Sequence, residues 1–181
     1  MDHHQRSTKQ TQSSFNSATQ TSQKKKMAMD DGRYLSFQLA SETYAVPIRT
    51  VSEIIGLSVI TAVPNLPNYM RGLINLRGAV VPVLDLRVKL SLPETEYTRE
   101  TCIVIVDIHS RKIGLIVDTV REVIEFKNTM IEKVPDLGGH KHSACLIGLG
   151  KLSDRVVIII EPARILSESE FNGTAIFKTV A

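Results

Sequence analysis

Tyr44-Ala-Val-Pro-Ile-Arg-Thr-Val-Ser-Glu-Ile-Ile55 has a counterpart later in the chain, Ile113-Gly-Leu-Ile-Val-Asp-Thr-Val-Arg-Glu-Val-Ile124, and the two fall in register when the chain is slid by 69 positions. Thr50 then lies over Thr119, Val51 over Val120, Glu53 over Glu122 and Ile55 over Ile124. Upstream, the alternating residues Leu35, Phe37 and Leu39 fall on Val104, Val106 and Ile108 at the same shift. Downstream, after small insertions, Gly72-Leu-Ile-Asn-Leu76 resembles Cys145-Leu-Ile-Gly-Leu149, and Val80-Val-Pro-Val-Leu-Asp85 resembles Val156-Val-Ile-Ile-Ile-Glu161. Any one apolar segment matches another by chance, but four in the same order identify a duplicated unit.

The segments themselves are short, rich in Val, Ile and Leu, and broken by turn-like residues, which is the pattern of strands. Leu35 to Leu39, a turn at Ser41-Glu42 and Tyr44 to Ile48 read as a hairpin with one buried face. Thr101 to Ile108, a turn at His109-Ser110-Arg111 and Lys112 to Val117 read as a second hairpin with more continuous apolar strands. Each copy ends in a short amphipathic helix candidate, Asp85 to Leu90 and Glu161 to Leu166. The expected fold is all-β with short helices. A unit of ~60 residues with four or five strands avoids open sheet edges by closing into a small barrel. Two such barrels side by side leave a groove, and grooves at domain junctions are ready sites for a partner.

The body of the fold is expected over 32–167, with a disordered polar leader over 1–31 and a flexible tail over 168–181. The leader is rich in Ser, Thr and Gln and has few large apolar residues to offset the entropy of ordering. Phe171, Ile176 and Phe177 give the tail some capacity to dock. The formal charge of +3 comes mostly from the leader, through Arg6, Lys9 and Lys24-Lys25-Lys26. The nearly neutral body has no basic stripe and the chain has no Trp, so nucleic acid is not an expected partner. No apolar run approaches the ~20 residues of a bilayer span, so no direct membrane insertion is expected. The start of the chain lacks the apolar segment of a secretory signal, and the expectation is a cytoplasmic protein. Cys102 and Cys145 sit in apolar runs and read as reduced core thiols.

Catalytic chemistry has little to stand on. His140-Lys-His142 with Cys145 has metal-ligand spacing but lacks a further ligand, and a solvated loop is the simpler reading. Asp85, Asp107 and Asp118 follow apolar strands, where carboxylates commonly cap backbone N–H groups, and no nucleophile accompanies them. No phosphate loop, dinucleotide fingerprint, nucleophile elbow or metalloprotease motif occurs.

Pro64-Asn-Leu-Pro-Asn-Tyr-Met-Arg-Gly-Leu-Ile-Asn-Leu-Arg-Gly-Ala-Val-Val-Pro-Val-Leu-Asp-Leu-Arg87 is the most specific stretch. Its prolines and glycines are explained by turn chemistry. Arg77 is not, because a guanidinium between Leu76 and Gly78 in an apolar hairpin asks for a carboxylate or a partner. The string Gly72-Leu-Ile-Asn-Leu-Arg-Gly78, followed by Val81-Pro-Val-Leu-Asp-Leu-Arg87 and preceded by Val51-Ser-Glu-Ile-Ile55 and Pro64-x-x-Pro67, resembles the CheW-like domain family. Gly114-Leu-Ile-Val-Asp-Thr-Val120 and Leu146-Ile-Gly-Leu-Gly150 fit as well, and the resemblance runs from about Arg33 to Leu166.

The resemblance implies two SH3-like five-stranded β-barrels in tandem, no cofactor, no metal and no reaction. It implies a chemotaxis adaptor that joins the cytoplasmic signalling tips of transmembrane chemoreceptors to the regulatory domain of the histidine kinase CheA, in cytoplasmic arrays at the membrane. It assigns functional weight to the carboxylate and arginine at Glu53 and Arg77. It also assigns receptor or kinase interaction to Val51, Gly72, Gly114, Val120 and Val123, with Cys102 where a β-branched residue is more usual. Glu53 and Arg77 are expected to pair, and the second copy is expected to lack such a pair, since Arg77 aligns near Leu149-Gly150. The other functional readings are an adaptor of a pilus-motility or other chemosensory-type pathway, and a small metal-dependent enzyme using Asp85 or the His140, His142, Cys145 group.

Overall fold

The structure, a computed structural model, describes residues 32–134 and 143–173. Strands β1 (Arg33–Leu39) and β2 (Glu42–Pro47) form a hairpin, and a 3-10 turn over Ile48–Thr50 leads into β3 (Val51–Gly56). β4 (Met70–Leu76) and β5 (Ala79–Asp85) form the next hairpin, followed by helix α1 (Leu86–Lys89). The second copy runs through β6 (Cys102–Ile108), β7 (Arg111–Val117), β8 (Thr119–Glu125), β9 (Ile131–Glu132), β10 (Leu146–Lys151) and β11 (Val156–Ile160). A 3-10 turn over Pro162–Arg164 and helix α2 (Glu168–Gly173) follow. The mostly-β architecture with short helices is as expected. The two helix candidates become α1, capped by the Asp85 carboxylate accepting from the Arg87 N–H, and the Pro162–Arg164 turn.

The two sheets do not coincide with the two sequence copies. The first sheet has the order β8-β1-β2-β11-β10-β9, and the second β3-β6-β7-β5-β4. The leading hairpins are therefore exchanged. β1 and β2 join the late strands of the second copy, while β6 and β7 join the late strands of the first. Besides the antiparallel pairings of β1 with β8 and β3 with β6, the copies are joined by two parallel pairings, β2 with β11, where Ala45 meets Ile159, and β5 with β7, where Val83 meets Gly114. These pairs are equivalent under the duplication, so the exchange is reciprocal.

Each sheet curls back on itself. β9 continues the chain from β8 at one edge and pairs with β10 at the other, Ile131 opposite Gly150. In the second sheet the chain leaving β3 makes a single bridge, Thr61 to Leu73 of β4, with both backbone bonds at 2.8 and 2.9 Å. Matching bulges at Met70/Gly72 and Leu146/Gly148 bend β4 and β10 for this closure. Gly72, with φ +137°, is needed at the seam because a Cβ there would lie 2.1 Å from the Thr61 carbonyl oxygen.

Three apolar clusters follow from the alternation. Tyr34, Ala45, Ile124, Phe126, Val157 and Ile159 fill the first sheet. Ile74, Val81, Val83, Ile103, Ile105 and Ile116 fill the second. Between the sheets, Leu35, Phe37 and Leu39 of β1 share a larger cluster with Val104, Val106 and Ile108 of β6. The two strands that matched by sequence thus meet in one common core. Being covered on both faces, β6 reads as a continuous apolar run.

The leader, residues 1–31, and the tail from 174 lie outside the described residues, as do His140 and His142. Residues 168–173 depart from the expected flexible tail: they form α2, whose Phe171 packs against the common core. Its ring lies edge-on to His109 at 5.8 Å and beneath the Arg111 guanidinium at 5.1 Å.

Candidate partner-binding faces

Arg77 and Gly78 make the two-residue turn between β4 and β5, with Leu76 paired to Ala79. Their φ angles, +53° and +89°, are those of a type I′ turn, where asparagine and glycine are the usual occupants. An arginine in left-handed backbone carries a conformational cost. The turn is steadied by Asn75, whose Oδ1 accepts from the Gly78 N–H at 2.8 Å. From this turn Arg77 Nη2 reaches Glu53 Oε2 of β3 at 2.8 Å, so the pair spans the seam between the sheet's two edge strands. The arginine is 82% exposed and the glutamate 21%. The expected ion pair is present, and most of its guanidinium remains in solvent.

The expectation that the second copy lacks such a pair does not hold. Arg155 Nη2 lies 2.5 Å from Glu122 Oε1, and Glu122 is the counterpart of Glu53. The arginine enters from the β10–β11 turn, where Lys151 pairs with Val156 across a longer loop. It stands one residue before Val156, whereas Arg77 stands three before the matching Val80. Sequence alignment of the hairpins therefore passes over it; the match of Glu122 to Glu53 was the signal that could have prompted a search for its cation.

The remaining candidates fall into separate groups. Val51, Cys102 and Val120 are half-buried together against the common core. Burial pushes the Cys102 thiol up, opposed by a backbone hydrogen bond at Val120. Gly72 and Gly114 are buried inside the second sheet; a Cβ at Gly114 would lie 2.7 Å from Ile103 Cγ2. Both glycines are required by close packing within the second sheet. Val123 points outward and is exposed. So is Ile54, its counterpart, and so are the matching residues Val80 and Val156. Each sheet thus carries an exposed apolar pair in the same chain context as its Glu–Arg pair.

A polar cluster around the buried Asp85 was not legible beforehand. Asp85 Oδ2 accepts from Arg71 Nη2 at 3.0 Å and from the Tyr97 hydroxyl at 2.7 Å. Burial and that bond to Asp85 push the Tyr97 hydroxyl up to about 12. Arg71 also reaches Glu94 at 2.9 Å, and Arg87 pairs with Asp118 at 2.5 Å. Asp107 accepts from the Ser52 hydroxyl. These carboxylates are committed to hydrogen bonds. Among the described residues no group of three or more His, Cys, Asp or Glu side chains is placed to hold a metal ion.

The CheW-like domain family matches residues 33–170. The chemotaxis protein CheW of Klebsiella aerogenes is 33% identical over 137 residues, 76% of this chain and 82% of that protein. The CheW of Bacillus subtilis is 33% identical over 136 residues, 75% of this chain and 87% of that protein. Among solved structures, the scaffolding protein TtCheW of Thermoanaerobacter tengcongensis superposes with a TM-score of 0.72 at 33% identity, over 77% of this chain and 95% of that one.

Proposed function

Since the chain belongs to the CheW-like domain family, a family of non-catalytic chemotaxis scaffolds, we propose that it couples the cytoplasmic signalling tips of chemoreceptors to the regulatory domain of the histidine kinase CheA. The observation that carries this reading is the repetition, on both sheets, of a Glu–Arg pair and of exposed apolar residues. Ile54 adjoins Glu53 of one pair in the chain, and Val123 and Val156 adjoin Glu122 and Arg155 of the other. An adaptor needs two faces held at a fixed relation, and a duplicated fold around a common core supplies them.

On each sheet the exposed apolar side chains supply burial, worth roughly 25 cal/mol per Å2 removed from water. The exposed charges select and orient the partner, since electrostatic complementarity contributes more to specificity and association rate than to affinity. Arg77 is suited to meet a carboxylate or a carbonyl of a partner while Glu53 holds its stem in place. No step of this function breaks a bond. The place of action is the cytoplasm, at membrane-associated receptor arrays; among the described residues no helix is long and apolar enough to cross a membrane.

A pull-down with the full chain tests the reading. A receptor signalling tip and a CheA regulatory domain should each be retained separately, and both together in one complex. Retention of neither fragment removes the proposal.

A further inference from the structure

Asp118 is the single residue between β7 and β8, where the chain leaves the second sheet for the first. Its carboxylate is gripped from both sides. Oδ1 pairs with Arg87 Nη2 at 2.5 Å, and Arg87 belongs to α1, which directly follows β5 of the second sheet. Oδ2 accepts the Ala40 N–H at 2.7 Å, in the β1–β2 turn of the first sheet. Ala40 has φ +53°, so the carboxylate also steadies a turn residue in left-handed backbone. The Asp118 N–H donates to the Gln38 carbonyl at 3.1 Å. Arg87 is in turn held by Thr95, through its carbonyl at 3.3 Å and its hydroxyl.

β8 begins at the next residue and carries Val120, Glu122 and Val123. Its course beside β1 is set by Ser36, whose hydroxyl donates to the Glu122 carbonyl at 2.8 Å, and by Arg121, which donates to Gln38 Oε1 at 2.5 Å. Those contacts fix β8 within the first sheet only. At this crossover the Arg87–Asp118 pair ties its start to the second sheet, alongside the backbone contact of Val120 with Cys102 of β6. The position equivalent to Asp118 in the first copy is Arg49, so this carboxylate belongs to one crossover alone. A buried ion pair adds little net stability, because desolvation offsets the Coulomb gain, but it fixes geometry.

We infer that Asp118, pinned by Arg87, is a positioning residue that sets β8 and its partner-facing residues Glu122 and Val123 in a fixed relation to the second sheet. The part concerning partners rests on the adaptor reading above. Two variants of the full chain test it by amide hydrogen exchange, which needs no partner. Asp118→Asn should raise exchange about tenfold along 119–123 while leaving β6 and β7 within about twofold. Arg87→Met combined with Asp118→Asn removes both charges and should recover much of the melting temperature, yet leave 119–123 fast. Exchange that rises uniformly across all strands, or that returns to the original pattern in the double variant, overturns the inference and leaves a merely structural pair. A second arm uses the receptor and kinase fragments: Val123→Asp identifies the fragment that docks on β8, and the double variant should weaken that same fragment about tenfold and the other less than twofold. Equal weakening of both, or of the other alone, overturns the partner-facing role. If the unaltered chain binds neither fragment, the adaptor reading fails and the exchange result still decides the positioning role.

Discussion

The two Glu–Arg pairs occupy matching places in the duplicated plan and are built differently. In the second sheet a two-residue turn in left-handed backbone lifts Arg77 into solvent over a sheltered Glu53. In the first sheet a longer turn lays Arg155 closer to the surface, 38% exposed, between Glu122 at 2.5 Å and Asp154 at 2.8 Å, with Glu122 itself 58% exposed. Among the described residues, Arg77 pairs with one carboxylate and keeps an open guanidinium face, whereas Arg155 is shared between two. Duplication therefore preserved where a charged pair sits, and turn length decided what that pair offers to a partner.

That contrast is broken most directly by charge reversal. Arg77→Asp should abolish receptor-dependent control of the kinase, while Arg155→Asp should leave most of it, in a coupled kinase assay. Both pairs are surface pairs worth ~0–1 kcal/mol, so melting temperatures should move little. Arg77→Asn separates turn from guanidinium. It suits a type I′ turn, should match the parent stability within about 0.5 kcal/mol, and should still lose control. Normal control by folded Arg77→Asp would end the distinction drawn between the two pairs.

The sheets also differ in how tightly their seams tolerate a methyl group. At Gly72 an added Cβ meets the Thr61 backbone, which cannot turn aside, and left-handed backbone adds strain. Gly72→Ala is expected to cost ~3 kcal/mol or more in urea unfolding. At Gly150 the obstruction is the Phe126 ring, with its nearest atom 2.5 Å from the added Cβ. A side chain can repack, so Gly150→Ala should cost ~1–2 kcal/mol. Equal costs would show that the one-bridge seam of the second sheet is as adaptable as the β9–β10 pairing.

The smallest effect concerns α2, which lands on elements of the second sheet. Burial alone pushes the Glu170 carboxyl up, but hydrogen bonds from Lys89, Ser167 and Tyr69 outweigh it and hold it down at about 2. Lys89 Nζ lies 2.5 Å and the Tyr69 hydroxyl 2.8 Å from its carboxylate. A depressed carboxyl stabilises the fold above its ordinary value of 4.5, and that contribution disappears as pH falls toward about 2. Glu170→Gln should therefore be less stable by ~1 kcal/mol near neutrality, after screening of a partly exposed group, with the gap closing across this acid window. A gap independent of pH would assign α2 docking to Phe171 alone.

Much of this was readable beforehand because it depends on local pattern. Period-two alternation in Leu35, Phe37 and Leu39 and its repeat in Val104, Val106 and Ile108 announced strands, and a constant offset announced duplication. Glu53 and Arg77 were linked through a resemblance carried by the residues around them. The flexible reading of the tail missed α2 because a six-residue helix has little propensity signal of its own; it is held by Lys89, Tyr69, His109 and Arg111, all distant in sequence.

By itself the sequence determined that the chain is a duplicated β unit of the CheW-like kind, since side-chain periodicity and repeated motifs are local properties. Only the tertiary structure decided that the hairpins are exchanged between sheets, that Arg155 completes a second pair and that Asp118 is gripped from both sheets. Those depend on which strand edges meet and how long each turn is, and neither is encoded in the spacing of residues along one strand.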